Sequence, residues 1–351
     1  MPSITRSFML ALAACSILCW APMAAAQKVT LMTGGAAKIV YLPVVLASQL
    51  GYFRDEGLDV EILSQPAGVD TATELIAGAI QGAAGFYDHT IDLQSRGQDI
   101  EAVVVFYDAA GLVELASTKA APHFMAMTDV RGRTLGVTGL GASTYFLTRY
   151  LAQRAGVGPN AYAVVPLGSE SGFVTALGKG TVDAGMIEEP TASRLLADGT
   201  AHVVVDMRDR DGTRAALGGP YVGACLYMQR AWVAAHRDDT RHLVRALVRT
   251  LGFIKSHNAE QIAAVLPKDF SGVDRALYVK ALAASIPSFS PDGRMPDGAP
   301  QTALAALAAV NPSIVPRHVD LGRTYTNTFA DDAARSPNLA SNPGASMAPA
   351  H

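Results

Sequence analysis

Strand-like and helix-like segments alternate along most of the chain, and this alternation limits the folds that the sequence can adopt. Alternating or wholly apolar runs predict strands at 29–33, 59–63, 83–86, 101–107, 134–138, 163–167, 183–187 and 202–205. A helix is predicted to open at Pro43 and to weaken or end at Gly51, and others are predicted at 71–80, 90–96, 144–155, 172–177 and 190–197. Because most of these strands are followed by a helix after a short connection, the pattern predicts an α/β fold with parallel sheets.

A break in the alternation at residues 108–122, which we predict to form a loop around Pro122, divides the pattern into two α/β lobes. A later strand at 221–227 is followed by helices up to residue 286, and we expect this strand to rejoin the first lobe. The chain would then cross between the lobes twice and enclose a ligand cleft that closes by a hinge motion. The predicted limits are 27–110 and 221–329 for lobe I and 111–220 for lobe II.

Both ends of the chain are predicted to lie outside the lobes. Arg6 supplies a positive charge, the apolar run at 8–20 is too short to span a bilayer comfortably, and the alanines at 24–26 form a small-residue cleavage site. We therefore predict a signal peptide at 1–26, a mature chain that begins at Gln27, and a periplasmic location. Residues 330–351 are rich in Ala, Ser, Pro and Asn and are predicted to form a flexible tail.

The three cysteines allow a second interpretation of the leader. The sequence LAAC, which ends at Cys15, resembles a lipoprotein box, so Cys15 could become a lipidated N-terminus of an exported protein. Cys19 also lies in the leader, which leaves Cys225 alone in the rest of the chain. A single cysteine forms neither an internal disulfide nor a cysteine zinc site, and we predict that Cys225 is a small buried residue.

Charge and residue spacing argue against several other classes of protein. The formal net charge is −3 and no basic stripe is present, so a nucleic-acid partner is not expected. No apolar run after the leader is long enough to span a membrane. The histidines are scattered without a metal-binding spacing, so we predict neither a metal site nor a cofactor.

Residues 138–151, TGLGASTYFLTRYL, place glycines and hydroxyl groups directly before a predicted helix. One interpretation is capping, in which Ser143 or Thr144 accepts hydrogen bonds from the first amides of the helix. The other is ligand binding, because the free amides and the helix dipole favour the negative end of a ligand. The segment alone does not decide between the two.

Four motifs, in order, resemble the periplasmic solute-binding proteins of ABC importers, in the branch that binds nitrate, sulfonates, taurine, bicarbonate or thiamine precursors. They are YLP at 41–43 with GYFRDEGLDV at 51–60, DVRGRTLGV at 129–137, GLGAST at 139–144, and ALGKGTVDA at 176–184 with EEP at 188–190. The resemblance covers roughly residues 29–285. It implies a type II periplasmic-binding-protein fold, in which a monomer carries a small solute unchanged to the transmembrane subunits of an ABC permease.

The resemblance also implies that the loop at 139–144 faces the cleft, and it therefore favours binding by Gly141, Ala142, Ser143 and Thr144. Further candidates follow the predicted strands, whose carboxyl ends point at the crevice: Tyr41, Tyr87, Asp88, Tyr107 and Glu188. Packing or helix capping is the alternative role of each, and Lys38 is expected at a solvated surface. Aromatic rings favour a flat solute, acids favour an N–H donor, and the helix start favours an anion. We expect a small aromatic or heterocyclic solute, with a carboxylate or a sulfonate among the candidates.

Enzymes and sensors are the rival classes. Asp88, His89 and Ser143 are the side-chain types of a hydrolase triad, but Ser143 is not in a G-x-S-x-G elbow. The thiamine-pyrimidine synthase is another rival, because it resembles these binding proteins; it carries a cysteine-rich segment, whereas Cys225 is alone here. A sensory protein that binds a ligand and docks a membrane receptor is the third. We predict a protein without enzymatic activity.

Overall fold

Two five-stranded sheets form the centres of two lobes in the computed structural model of the chain, which describes residues 27–267, 270 and 274–335. The predicted leader, with Cys15 and Cys19, and residues 336–351 lie outside the described residues. The described strands are β1 (Gln27–Thr33), β2 (Leu58–Ser64), β3 (Gly82–Phe86), β4 (Ile100–Val105), β5 (Leu112–Ser117), β6 (Thr134–Val137), β7 (Ala163–Pro166), β8 (Ala184–Glu188), β9 (Ala201–Met207) and β10 (Ala224–Gln229).

Helices cover the sheets and connect the strands. They are α1 (Leu42–Gln49), α2 (Tyr52–Asp55), α3 (Gly68–Ile76), α4 (Asp88–Ser95), α5 (Ser143–Arg154), α6 (Glu170–Lys179), α7 (Thr191–Ala197), α8 (Arg210–Leu217), α9 (Arg230–Ala235), α10 (Arg237–Ser256), α11 (Ala259–Val265), α12 (Arg275–Ser285), α13 (Ala299–Val310) and α14 (Thr328–Arg335). Gly51 has a left-handed φ of 74° and separates α1 from α2, as predicted. Gly78 has a φ of 74° as well, and α3 therefore ends before residue 80, the predicted end of this helix.

The strand order is β2-β1-β3-β10-β4 in the first sheet and β7-β6-β8-β5-β9 in the second. The chain thus leaves the first sheet between β4 and β5 and returns to it between β9 and β10. This double crossing confirms the predicted α/β fold with two lobes and two crossovers, which is the architecture of the periplasmic-binding-protein fold. The predicted lobe limits agree with this strand order but themselves stay a prediction.

The sheets are mixed, whereas the alternation of elements predicted parallel ones. β10 is antiparallel to both β3 and β4, and β5 is antiparallel to both β8 and β9. These are the two strands that directly follow the crossovers, so each enters its sheet from the side of the other lobe. The remaining neighbours pair in parallel, β1 with β2 and β3, and β6 with β7 and β8.

Strand β5 lies inside the segment that was predicted as a loop at 108–122. All of its residues are buried, including Glu114, because β8 and β9 flank it on both sides. The acid in the middle of LVELAS interrupts an otherwise apolar run, which weakened the strand signal. The prediction of an uninterrupted loop here was wrong.

The C-terminal end of the described chain also differs from the expectation. Phe329, Ala330 and Ala333 are buried in α14, which packs on α10. Residues 330–335 of the predicted flexible tail therefore belong to a packed helix, because an apolar stripe on one face outweighs the alanine-rich composition. The rest of that prediction lies outside the described residues.

Apolar residues form one large core and one smaller one. The large core surrounds the first sheet and reaches α5 in the second lobe, and it includes Cys225, which is fully buried as predicted. The smaller core lies in the second lobe, where Val113 and Leu115 of β5 pack with Phe173 and Leu177 of α6. None of the described helices has the length and apolarity needed to cross a membrane.

Candidate functional site

The carboxyl ends of the parallel strands in the two sheets, that is of every strand except β5 and β10, face each other, and helices begin there from both sides. In the first lobe α4 starts at Asp88, immediately after β3, and in the second lobe α5 starts at Ser143, shortly after β6. The Oγ of Ser143 donates a hydrogen bond to Oδ1 of Asp88 across 2.7 Å. The two lobes are therefore in direct contact at the cleft.

Asp88 is fully buried and accepts a hydrogen bond at each of its carboxylate oxygens. Oδ1 takes the hydroxyl of Ser143, and Oδ2 takes the hydroxyl of Tyr221 at 2.8 Å, from the segment that precedes β10. Two donors offset the cost of burying a carboxylate. Asp88 therefore joins both lobes and the second crossover in one hydrogen-bonded group.

A second polar link between the lobes is a buried ion pair. Nζ of Lys38, which follows β1, lies 3.2 Å from Oε1 of Glu188 at the end of β8, and their side chains are 4% and 5% exposed. The amide of Ile39 donates to the carbonyl of Glu189 beside this pair. The expectation that Lys38 lies at a solvated surface was wrong, because the second lobe covers it.

Two buried polar atoms near this pair form no hydrogen bond within the described residues: Oε2 of Glu188 and the hydroxyl of Tyr227. A buried polar group that lacks a partner costs about 1–3 kcal/mol. Tyr41 interacts with both of these side chains. Burial raises the pKa of its phenol most, and the nearby Glu188 and Tyr227 raise it further. Burial also raises the pKa of the Tyr227 phenol, so both phenols keep their protons and can donate.

Carboxylates dominate the charge of the cleft. Burial raises the pKa of Glu170, the first residue of α6, while the positive charge of Lys38 lowers it and Glu188 raises it. Glu170 and Glu188 are thus both close to Lys38, and Asp88 and Glu188 both act on Tyr41. The cleft favours hydrogen-bond donors over additional negative charge.

The glycine-rich loop before α5 lies against the other lobe. A Cβ added at Gly139 would lie 3.2 Å from Ala67 and from Val69, so the absence of a side chain allows this approach. Gly141 has a φ of 86°, which favours glycine. This loop seals one side of the cleft.

Neither hydroxyl caps α5 in the way that the first interpretation predicted. Ala142 occupies the N-cap position, Ser143 bonds Asp88, and Thr144 accepts a hydrogen bond from the amide of Thr138 at 3.1 Å. The amides of Ser143 and Thr144 form no hydrogen bond to any described residue. They remain free to bind an acceptor atom, as the second interpretation expects.

The structure brings Tyr41, Asp88, Ser143 and Glu188 together, but it does not bring Tyr87 and Tyr107 to them. The hydroxyl of Tyr87 is hydrogen-bonded to Thr324 at 2.5 Å. The hydroxyl of Tyr107 donates to the carbonyl of Arg208 at 3.0 Å, and burial raises its pKa to about 12. Both rings support the C-terminal segment and the crossovers, and their contact with a ligand stays a prediction.

Sequence reasoning did not select Glu170, Tyr221 and Tyr227, and it assigned Lys38 to the surface. Tyr221 and Tyr227 lie within the run predicted as the returning strand, where an aromatic residue is typical of a sheet. A signal was available for Lys38, because it follows the first strand at the same edge as the other candidates. The acids and tyrosines become recognisable only when the two lobes are placed together.

The geometry does not assemble a hydrolase triad. Ser143 donates directly to Asp88, whereas the ring of His89 packs beside Tyr227 at a centroid distance of 6.3 Å. A hydrolytic serine needs an imidazole that accepts its proton. Within residues 27–335 as described, no group of three histidines, cysteines or acids could hold a metal ion.

Comparisons with known proteins agree with this architecture. Residues 38–261 match the model of the family described as NMT1/THI5 like, and the chain belongs to that family. A solved structure of a protein from Bordetella bronchiseptica RB50 superposes with a TM-score of 0.84 at 32% identity, covering 87% of this chain and 96% of that one. The alkanesulfonate-binding protein SsuA from Xanthomonas axonopodis pv. citri, solved with bound MOPS, has a TM-score of 0.67 at 16% identity, covering 85% and 98%.

Enzymes are also among the relatives by sequence. The chain is 24% identical over 242 residues to a 4-amino-5-hydroxymethyl-2-methylpyrimidine phosphate synthase from Candida albicans (strain WO-1), which covers 67% of this chain and 69% of the synthase. The relatives by sequence therefore include a protein that is named for catalysis, whereas the fold of this chain is also that of a solute-binding protein.

Proposed function

We propose that this protein is the periplasmic solute-binding component of an ABC importer, which encloses a small organic solute between its lobes and releases it to a membrane permease. The observation that carries the proposal is the buried polar group that spans the lobes. Asp88 with Ser143, and Lys38 with Glu188, come from opposite lobes and are buried where the lobes meet. Such contacts suit a site that forms on closure.

The solute is a flat molecule that offers N–H donors and carries no net negative charge. Oε2 of Glu188 needs a donor, and the cleft already contains the acids of Asp88, Glu170 and Glu188, of which Lys38 pairs with one. Tyr41 and Tyr227 offer aromatic surface and hydroxyl groups, and the amides of Ser143 and Thr144 offer donors to one acceptor atom. A heterocycle with an amino group satisfies these requirements better than a carboxylate or a sulfonate does.

A synthase that acts on the same kind of solute is the second candidate, because curated relatives bear that name. Cys225 is the only cysteine of the described residues, and burial raises the pKa of its thiol, which makes it a poor nucleophile. The two functions differ in what happens to the solute. A binding protein releases it unchanged, whereas an enzyme releases a product.

A thermal-shift screen of residues 27–351, followed by mass spectrometry of the released compound, tests the proposal. The compounds are amino-substituted heterocycles, small amines, aromatic carboxylates, sulfonates, nitrate and bicarbonate. A solute at a hundred times its Kd should add about 2.7 kcal/mol to the free energy of unfolding. We expect stabilisation by an amino heterocycle that is recovered with unchanged mass.

Two variants locate the binding in the cleft. Glu188→Gln should abolish most of the stabilisation, whereas Glu260→Gln, which alters an exposed acid in α11, should preserve it. Recovery of a chemically altered compound would favour the synthase. Stabilisation by sulfonates alone would refute the proposed solute class but not the transport function.

A further inference from the structure

A cavity of about 530 Å³ lies at the end of the first sheet that is opposite to the cleft. Ile100, the first residue of β4, pairs with Gln229, the last residue of β10, so Asp99 and Arg230 stand side by side just beyond the sheet. The carboxyl ends of β1 and β3 point towards the cleft. Because β4 runs in the same direction, its first residue lies at the end of the sheet that is farthest from the cleft. The cavity is therefore separate from the proposed solute site.

The C-terminal segment closes one side of this cavity along the edge of the first sheet. The amide of Ala102 donates to the carbonyl of Thr324, and the amide of Thr326 donates to the carbonyl of Ala102, so residues 324–326 extend the sheet beside β4. This pairing places Arg323 and Tyr325 at the cavity, and Phe329 at the start of α14 adds an apolar wall. The cavity thus has a defined, hydrogen-bonded frame.

Two of its three arginines are neutralised by acids. Arg230 lies 3.4 Å from Asp99 and 2.6 Å from Glu101, and Arg323 lies 2.6 Å from the other oxygen of Asp99. These ion pairs connect the start of α9, β4 with the residue before it, and the C-terminal segment, so both arginines have a structural role. Asp99 and Glu101 are the two acids that line the cavity, so one positive charge remains.

The remaining charge is that of Arg237, at the start of α10. Its guanidinium carbon lies 5.5 Å from the centroid of the Phe329 ring, and it forms no ion pair with a described residue. The neighbouring acids of α10 are engaged elsewhere, Asp238 with Arg241 and Asp239 with His236. The side chain is exposed, and its charge also acts on Glu101. A guanidinium that lies over an aromatic ring and forms no hydrogen bond to a described residue is suited to hold a carboxylate.

We propose that this cavity is a second ligand site, which binds a small organic carboxylate with a flat apolar body. Arg237 pairs with the carboxylate, and the ring of Tyr325, with Ala231 and Ala234, contacts the body of the ligand. The volume lies within the range of sites for small molecules, and the net positive charge is opposite in sign to that of the cleft. The protein would thus bind ligands of opposite charge at its two sites.

Titration of the mature chain with benzoate, followed by the amide NMR signals of Phe329 and Arg237 and by calorimetry, tests the proposal. Benzamide, which has the same shape and no charge, is the control ligand. We expect saturable binding of benzoate at millimolar concentration and at least about tenfold weaker binding of benzamide. The cleft variant Glu188→Gln should bind benzoate as the native protein does.

Variants of Arg237 supply the decisive comparison. Arg237→Gln should weaken benzoate binding about tenfold or more, while Arg237→Lys, which keeps the charge, should retain most of it. Equal affinity of the Arg237→Gln variant, equal affinity for benzamide, or the absence of saturable shifts at Phe329 would each overturn the proposal. Loss of benzoate binding in Glu188→Gln alone would assign the ligand to the cleft and would also overturn it.

Discussion

The Ser143 hydroxyl of one lobe donates to the Asp88 carboxylate of the other at 2.7 Å, and both side chains are buried. A hydrogen bond to a charged acceptor contributes about 1.5–3 kcal/mol. Because this bond exists only when the lobes meet, it stabilises the closed arrangement relative to an open one. Asp88 therefore has a contact that favours the closed arrangement of the lobes. It is also a candidate for contact with the solute.

Replacing Ser143 by Ala should shift the protein towards open conformations. Loss of the bond lowers the preference for the closed form about tenfold or more, since each 1.4 kcal/mol changes an equilibrium tenfold. Small-angle X-ray scattering should give a larger mean radius of gyration for the variant. Ser171→Ala, which removes an exposed hydroxyl on α6, is the matched control and should scatter like the native protein. Identical curves for all three proteins would contradict a role of Ser143 in closure.

Replacing Lys38 by Met should destabilise the protein more than removing both partners of its ion pair. The single change leaves the Glu188 carboxylate buried without a counter-charge, which typically costs about 3–5 kcal/mol. Lys38→Met with Glu188→Gln should recover a large part of that loss in urea unfolding experiments. Additive losses in the double variant would show that the two side chains are not coupled.

Glu114 should make the stability of the protein depend on pH. Burial raises the pKa of its carboxyl from 4.5 to about 8, and the hydroxyl of Thr148, which donates to it at 2.8 Å, lowers it only in part. Between these pH values the folded state holds a proton that the unfolded state has lost. The free energy of unfolding therefore falls as pH rises through this window, by up to about 1.4 kcal/mol per pH unit.

Glu114→Gln should remove that slope, because the amide resembles the protonated acid. In urea unfolding from pH 5 to 9, the native protein and the variant should be similarly stable at the acidic end, and the variant more stable at the basic end. Asp59→Asn, an exposed carboxylate on β2, is the matched control and should leave the slope intact. Parallel curves for the native protein and Glu114→Gln would refute the raised pKa.

Processing of the leader should produce a chain that begins at Gln27. The alanines at 24–26 suit signal peptidase better than the short apolar stretch before Cys15 suits lipoprotein processing. Mass spectrometry of protein recovered from a bacterial periplasm measures the new N-terminus. Cys15→Ser should not change the mass of the mature protein. A mass that includes a lipid on Cys15 would instead establish the lipoprotein alternative.

Local patterns in the sequence were sufficient for most elements of the fold. β1, α5 and β8 lie within one or two residues of their predicted limits, because an apolar period, a turn glycine or a proline marks each end. The pattern failed at β5 and at α14. In both, burial depends on neighbours that are distant in the chain, which local composition does not report.

Only part of the candidate site could be predicted from the sequence. Tyr41, Asp88 and Glu188 were predicted because they follow strands whose carboxyl ends meet at a cleft, and Ser143 because it opens a helix in a loop that the family resemblance places there. Tyr87 follows a strand too, but its ring points to the C-terminal segment, because its hydroxyl is hydrogen-bonded to Thr324. Position along a strand identifies the residues near a cleft, but the direction of each side chain depends on the partner it finds.

The sequence by itself determined the α/β class, the two lobes and the end of each sheet that faces the cleft, because these follow from periodicity and from the geometry of parallel strands. Only the tertiary structure decided the charge of the cleft. Lys38 of the first lobe lies beside Glu170 and Glu188 of the second, and a lysine that looked solvated became a buried partner of Glu188. Electrostatic interactions depend on distance and burial, and both are properties of the packed lobes.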